Sequence, residues 1–333
     1  MTAPTDRPTA SRRELLFATA GGLALSMVAS RPAFAAGEDP SPQAPSVPFV
    51  EHKILHDGHA IYAREYPGKG PAYVLIHGFP DNLHIYDYVV PYLVKAGKRV
   101  VSFDFLGFGQ SDKVSRETYP YSFAQQVGDL SAVVDALRLD TFIPVGHDSG
   151  GPCAINYAID HPERIAWLCV MNCFYAQSPT FRLPEIIEVF GNPSLQELAK
   201  TILTTPEQMN WLLSFQDAHF QAKMPPEQRA RFTGILRPIV RKNFADGAAS
   251  GFQQMTAQVY DNVAYNTSRL PDVAKFKPKV SLIWGTLDPY LTPEAANAIA
   301  GNFPNATVKP VQTGHWLMID NPELVARLML EGA

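Results

Sequence analysis

The amino-acid sequence predicts an α/β chain, a mostly parallel, doubly wound sheet with an inserted helical lid. Three observations carry that expectation. Short apolar runs alternate with segments of helical spacing over residues 49–173 and again over 271–333. The runs are apolar on both faces, as strands covered on both sides by crossover helices must be. Between Phe174 and Leu270 no strand-like run occurs, and prolines from Pro179 to Pro238 punctuate a helical texture.

Taken in order, Ser11-Arg12-Arg13-Glu14-Leu15-Leu16 opens an apolar stretch that ends before Arg31 and the small residues Ala33-Phe34-Ala35. A basic start, a short apolar middle and an Ala-x-Ala site make residues 1–35 an export signal, and the paired arginines resemble the twin-arginine type. The stretch is shorter than the ~20 apolar residues of a spanning helix, so no stable membrane anchor is expected after cleavage. The expected location is the periplasm or the medium. Residues 36–48, rich in Pro, Ser and Ala, read as an extended linker.

Glu51–Leu55 and His59–Tyr66 form a hairpin around Asp57-Gly58. Ala72–Ile76, Arg99–Phe103, Phe142–Val145, Ile165–Met171, Val280–Trp284 and Thr307–Val311 read as strands. Asn82–Ala96, Ser122–Leu139 (with Ser122 as N-cap), Cys153–Ile159, Glu294–Ala300 and Glu323–Leu330 read as helices. Residues 174–270 are the lid.

Composition excludes several functions. Of 333 residues 46% are hydrophobic and 18% charged, a globular composition. Lys plus Arg is 28 against 32 for Asp plus Glu, and no basic run offers a nucleic acid its counterions. Cys169 and Cys173, on one extended run, stand ~13 Å apart and cannot bridge. With Cys153 they read as buried thiols. His52 and His56 are similarly too far apart on a strand to share a metal. Gly107-Phe108-Gly109 lacks the third glycine of a dinucleotide loop and is a turn.

The chemistry lies in three loops. Gly146-His147-Asp148-Ser149-Gly150-Gly151 joins a strand to a helix in the pattern of a nucleophile elbow, with Asp148 at the centre where serine is usual. A carboxylate nucleophile suits displacement at sp³ carbon, which yields an alkyl–enzyme ester that water must cleave. Cleavage needs a histidine base, an acid to orient it, and N–H donors for the oxyanion. His315 follows the last strand and Asp288 the strand before it. The other position for an acid, after Met171, holds Asn172, Cys173 and Phe174. His77-Gly78-Phe79-Pro80 follows an earlier strand, so the backbone N–H groups of Phe79 and Ser149 are the expected oxyanion donors. His147 reads as structural.

These motifs resemble the α/β-hydrolase superfamily, in the branch of epoxide hydrolases and haloalkane dehalogenases with an aspartate nucleophile. His77-Gly78-Phe79-Pro80, the elbow at 146–151 and Gly314-His315-Trp316 are similar to epoxide hydrolases. Asp104–Lys113 and Val170-Met171-Asn172 look more like dehalogenases. The resemblance implies the α/β-hydrolase fold, a small apolar organic substrate, and neither cofactor nor metal. Epoxide hydrolases use two lid tyrosines as proton donors. Tyr260 matches one, and Tyr175 or His219 is left for the other. Dehalogenases place a tryptophan after the nucleophile, where Ser149 stands, leaving Trp211 as a lone halide donor. Fluoroacetate dehalogenases carry arginines just after the nucleophile, and Ser149 to Pro152 holds none. The first expectation is therefore epoxide hydrolysis to a diol through an Asp148 ester. Haloalkane dehalogenation by the same residues is the alternative. A catalytically silent binding protein is a third, opposed by retention of all three catalytic side chains.

Overall fold

The computed structural model describes residues 44–115 and 118–332. The export segment and residues 36–43 of the linker lie outside the described residues. Eight strands form one sheet: β1 (Val50–His56), β2 (His59–Tyr66), β3 (Lys69–Ile76), β4 (Lys98–Phe103), β5 (Phe142–His147), β6 (Leu168–Met171), β7 (Val280–Gly285) and β8 (Ala306–Val311). Their order is β1-β2-β4-β3-β5-β6-β7-β8. β1 and β2 pair antiparallel, as do β2 and β4; every later pairing is parallel.

The central strands are apolar on both faces because helices cover both. In β3 the run Ala72–Ile76 is wholly buried, and β5 and β7 are buried throughout. The crossovers between β3 and β6 are helical: α1 (Val90–Lys95), α2 (Phe123–Ala136) and α3 (Gly150–Asp160). The register aligns the carboxyl ends. Ile76 lies opposite Gly146, His147 opposite Met171, Met171 opposite Ile283, and Gly285 opposite Val311. Loops leaving β3, β5, β6, β7 and β8 therefore converge on one edge, where open α/β sheets bind ligands.

Segments 174–184 and 185–273 lie between β6 and β7. The latter carries helices α4 (Glu185–Gly191), α5 (Gln196–Thr204), α6 (Pro206–Gln221), α7 (Pro226–Arg231), α8 (Arg237–Ala245), α9 (Ala249–Ala257), α10 (Val259–Ser268) and α11 (Leu270–Val273). A single π-helical turn, Phe232–Leu236, joins α7 to α8. α6 buries Met209, Leu212, Leu213, Gln216 and Phe220, a stripe at helical spacing facing the sheet edge. Asn243 of α8 ties these helices to the core. Its side chain accepts from the Gly109 N–H at 2.8 Å and donates to the carbonyls of Pro80 (2.8 Å) and Asp81 (2.9 Å). After β7 come α12 (Pro293–Ala300), α13 (Leu317–Asp320) and α14 (Pro322–Leu330).

Several expected boundaries move. Asn82–Ala96 is not one helix but a 3₁₀ turn, Leu83–Tyr86, followed by α1. Pro91 has no N–H to continue a ladder back to Asp87, so the helix restarts at Val90. Ile165 touches the sheet through a single bridge to Phe142, and β6 begins at Leu168. α3 begins at Gly150, directly after the elbow, three residues before the expected start. The three cysteines are free and buried, and burial pushes their thiols up. His52 pairs with Glu65, and His56 donates to Asp129 at 2.6 Å. Among the described residues no cluster of His, Cys, Asp and Glu could hold a metal ion.

Candidate active site

Asp148 stands at the end of β5 with φ 51°, the left-handed region that a side chain adopts under strain. The glycines around it exist because nothing larger fits. A Cβ on Gly146 would lie 2.4 Å from the Gly150 carbonyl, and one on Gly150 2.5 Å from those of Ile76 and His77. On Gly78 it would stand 2.3 Å from the Cβ of Asp148 itself. The loop after β3 thus approaches Asp148 as closely as backbone can.

That approach supplies the donors. The Phe79 N–H donates to Asp148 Oδ1 at 3.1 Å, and the Ser149 backbone N–H also stabilises the Asp148 carboxylate. The second carboxylate oxygen, Oδ2, faces His315 Nε2 at 3.4 Å. His315 Nδ1 donates to Asp288 Oδ2 at 2.6 Å. Asp288 is held from three sides: Asn172 Nδ2 donates to Oδ2 at 2.9 Å, while the N–H groups of Tyr290 (2.9 Å) and Leu291 (3.1 Å) donate to Oδ1. Asn172, just past the end of β6, thus braces Asp288, just past the end of β7. Its own carbonyl accepts from the Asp148 N–H at 3.2 Å.

Burial alone would raise Asp148, but the hydrogen bond and charge of His315 outweigh it and hold the carboxyl below its usual value. Burial would lower His315. Asp288, followed by Asp148, overrides this and pushes it up to about 10. The resting pair at neutral pH is therefore a carboxylate facing an imidazolium.

His147 lies below the base. Its Nε2–H donates to the His315 carbonyl at 3.0 Å, its ring packs 4.6 Å from that of His315, and burial pulls it down to about 3. Trp316 Nε1–H donates to buried Asp81 at 2.8 Å; burial and then Asp148 raise that carboxyl to about 7.

Above Asp148 and His315 lies a chamber of about 840 Å³, its open mouth included. Its wall is largely apolar, with Phe79, Phe174, Ile186, Leu213, Phe220 and Trp316 prominent. Besides Asp148 and His315, its polar side chains are Arg182, Gln216, Asp217 and Tyr290, of which Gln216 and Tyr290 are joined to each other and to Glu185.

The structure brings together Asp148, His315, Asp288, Phe79 and Ser149. It does not bring the lid residues named from sequence to the chamber wall. The Tyr260 side chain is 40% exposed, and its hydroxyl donates to Glu188. Trp211 is 67% exposed and stacks on Phe215 along the outer face of α6. Tyr175 is buried, with its hydroxyl donating to Asn156 at 3.0 Å behind the wall. In this structure the expected acid and halide donors thus lie off the chamber wall, each side chain turned to a partner or to solvent. Tyr290 and Gln216, which the sequence reading does not single out, line the chamber instead. Tyr290 follows the acid by two residues, and Gln216 is a polar residue on the apolar stripe of α6; both signals were present in the sequence.

A model of the alpha/beta hydrolase fold matches residues 71–322, and the chain belongs to that family. Its relatives include epoxide hydrolases and dehalogenases. Epoxide hydrolase B of Mycobacterium tuberculosis is 35% identical over 137 residues, 40% of this chain and 38% of that protein. The match thus spans under two fifths of that relative's length. A haloalkane dehalogenase of Mycobacterium marinum is 28% identical over 276 residues, 80% of this chain and 86% of that one. Among solved structures, the epoxide hydrolase CorEH without ligand aligns with a TM-score of 0.67 at 20% identity, over 85% of this chain and 98% of that chain. At that identity the likeness concerns the fold.

Proposed function

We propose that the protein hydrolyses epoxides of small apolar molecules to diols through a covalent Asp148 ester. The observation that carries this reading is the division of labour between the two oxygens of Asp148. Oδ1 lies against the Phe79 N–H at 3.1 Å, ready to become the oxyanion, while Oδ2 is free to attack and faces the base.

The charge pattern supports the order of steps. Asp288 and, after it, the Asp148 anion together keep His315 protonated. Forming the ester removes that anion, so the His315 pKa falls and the imidazole becomes a base when water must be activated. Asp288 fixes the tautomer with Nε2 toward the ester. Solvent would reach the chamber through its mouth, and the apolar wall fits an apolar substrate. No cofactor or metal is needed for either step. We further propose that the enzyme acts after export, which N-terminal sequencing of protein recovered outside the cytoplasm would test.

Incubation of His315→Gln protein with styrene oxide, read by intact-protein and peptide mass spectrometry, is expected to accumulate an adduct on Asp148. No adduct with any of a panel of epoxides would sink the reading. Dehalogenation is the second reading, favoured by the long alignment to a haloalkane dehalogenase. It is opposed by the indoles: Trp211 faces solvent and the Trp316 N–H is held by Asp81. Bromide release from bromoalkanes without diol formation from epoxides would reverse the preference.

A further inference from the structure

We propose that Tyr290 is the proton donor of the chamber, its hydroxyl turning from Glu185 to the oxygen of the opening epoxide while Gln216 holds the phenolic oxygen from the other side. This rests on the epoxide reading above and names the acid that reading requires.

The donor inventory of the chamber leads there. The wall side chains that bear N–H or O–H are Arg182, Gln216, Tyr290, His315 and Trp316. His315 is reserved for the water step. The Trp316 indole donates to Asp81. Arg182 is more than half exposed at the mouth and donates to Glu185 at 3.2 Å. Gln216 is buried and its amide is fixed in orientation. Oε1 accepts from the Ile186 N–H at 3.1 Å, and Nε2 donates to Tyr290 Oη at 2.5 Å and to Glu185 Oε2 at 3.3 Å. Tyr290 is left as the hydroxyl whose proton can move. At rest that proton is donated to Glu185.

Its mounting suits the task. Tyr290 is buried, and its N–H donates to the catalytic acid Asp288 at 2.9 Å, so donor and acid belong to one turn after β7. Its ring packs 5.1 Å from Phe220, whose ring lies 5.4 Å from that of His315. Burial, and then Glu185, push the phenol above its ordinary value, so it stays protonated through the neutral range. When the O–H turns away, Glu185 keeps Gln216 and Arg182 as partners. The Gln216 N–H then stabilises the charge left on the phenolic oxygen.

The cycle balances. Asp148 Oδ2 bonds to an epoxide carbon, and the ring C–O bond breaks with its electron pair on oxygen. That oxygen takes the Tyr290 proton, leaving a hydroxyalkyl ester and a phenolate. The imidazolium, no longer faced by an anion, gives its proton through water to the phenolate. Neutral His315 then takes a proton from water as hydroxide adds to the ester carbon. The intermediate then breaks its bond to the alkyl oxygen, which takes the proton of the added hydroxyl, so the diol leaves and Asp148 carboxylate, His315 imidazolium and Tyr290 phenol are restored.

Single-turnover measurement of adduct formation and decay with styrene oxide tests this. Tyr290→Phe is expected to slow formation about 100-fold, a usual share for a general acid, and to leave decay within about 3-fold of wild type. Gln216→Leu is expected to slow formation about 10-fold, and Tyr260→Phe to leave it unchanged. Formation at the wild-type rate in Tyr290→Phe overturns the proposal, as does equal slowing of both steps, which a displaced Asp288 would produce. If Tyr290→Phe fails to fold by circular dichroism, a wild-type rate in Gln216→Leu overturns it instead. Adduct trapped by His315→Gln, together with full-rate formation in Tyr290→Phe, sinks this inference alone. No adduct in His315→Gln sinks it with the epoxide reading.

Discussion

The floor and the roof of the chamber are built by different means. On the floor, Asp148, Asp288 and His315 each sit just past a strand end, and backbone N–H groups hold two of them: Phe79 for Asp148, Tyr290 and Leu291 for Asp288. Positions there are set by sheet register and by glycines into which no Cβ fits. In the roof, Glu185 gathers Arg182, three residues before it, and Gln216 of α6 through side chains. A floor fixed by backbone holds reacting atoms to tenths of an ångström, whereas a roof of paired side chains can be rebuilt for another substrate. The comparison predicts that floor substitutions abolish a chemical step, and that substitutions on the outer face of the lid change nothing.

The largest of the remaining effects belongs to Asp288→Asn. The side-chain oxygen that stays with the Tyr290 and Leu291 N–H groups leaves an amide N–H₂ facing His315 Nδ1–H and Asn172 Nδ2–H. Donor then meets donor, and the imidazole loses the tautomer that presents a bare Nε2 to water. Ester hydrolysis is expected to fall about 10³-fold or more, with formation of the ester changed less than about 10-fold. Rapid-quench mass spectrometry separates the two. Equal loss in both steps would show that the floor is less divided than its geometry indicates.

A smaller effect lies in the pH dependence of stability. The folded His315 value, about 10, is above the 6.5 of the free side chain. Its contribution is therefore fully present below pH 6.5 and is lost as pH rises through about 10. Asp81 and Asp320, raised to about 7, have lost theirs by then. The cysteines add theirs only from about pH 9 upward, near the ordinary thiol value. Between about pH 7 and 9, unfolding free energy should thus fall by up to about 1.4 kcal/mol per pH unit. In His315→Gln that slope should flatten. Urea denaturation at half-unit pH steps measures both. A wild-type slope retained in the variant would place the titrating proton elsewhere.

What could be read from the sequence follows the same division. The elbow glycines, Asp148, His315 and Asp288 are local signals, because a strand end followed by a small-residue turn is written in adjacent positions. The N-cap of α2, where Ser122 accepts from the Gln125 N–H at 3.0 Å, is equally local. Asp81 and Asn172 were passed over because their partners, Trp316 at 235 residues' separation and Asp288 at 116, are distant in the chain. The lid donors failed for the same reason. Tyr260 fits by spacing along the chain, but the choice between chamber and surface was made by Glu188 on another helix. Gln216 broke an apolar stripe, a local signal, yet its meaning depended on Tyr290 from beyond the lid.

Trp211 gives the smallest effect and the sharpest control on that division. On α6 it lies five residues before Gln216, on the side away from the stripe that carries Leu212, Leu213 and Phe220. Its indole stacks 5.8 Å from Phe215, whose ring stacks in turn 6.4 Å from that of His219, and only that last ring of the ladder reaches Tyr290, at 5.2 Å. Trp211→Phe keeps an aromatic in that ladder and removes an N–H that faces solvent. Unfolding free energy should change by less than about 0.5 kcal/mol, as for surface positions generally. Turnover of epoxides should stay at the wild-type rate, and so should any halide release. Loss of halide release alone would bring the indole to the chamber in solution, and the division between a fixed floor and an inert outer lid would have to be redrawn at α6.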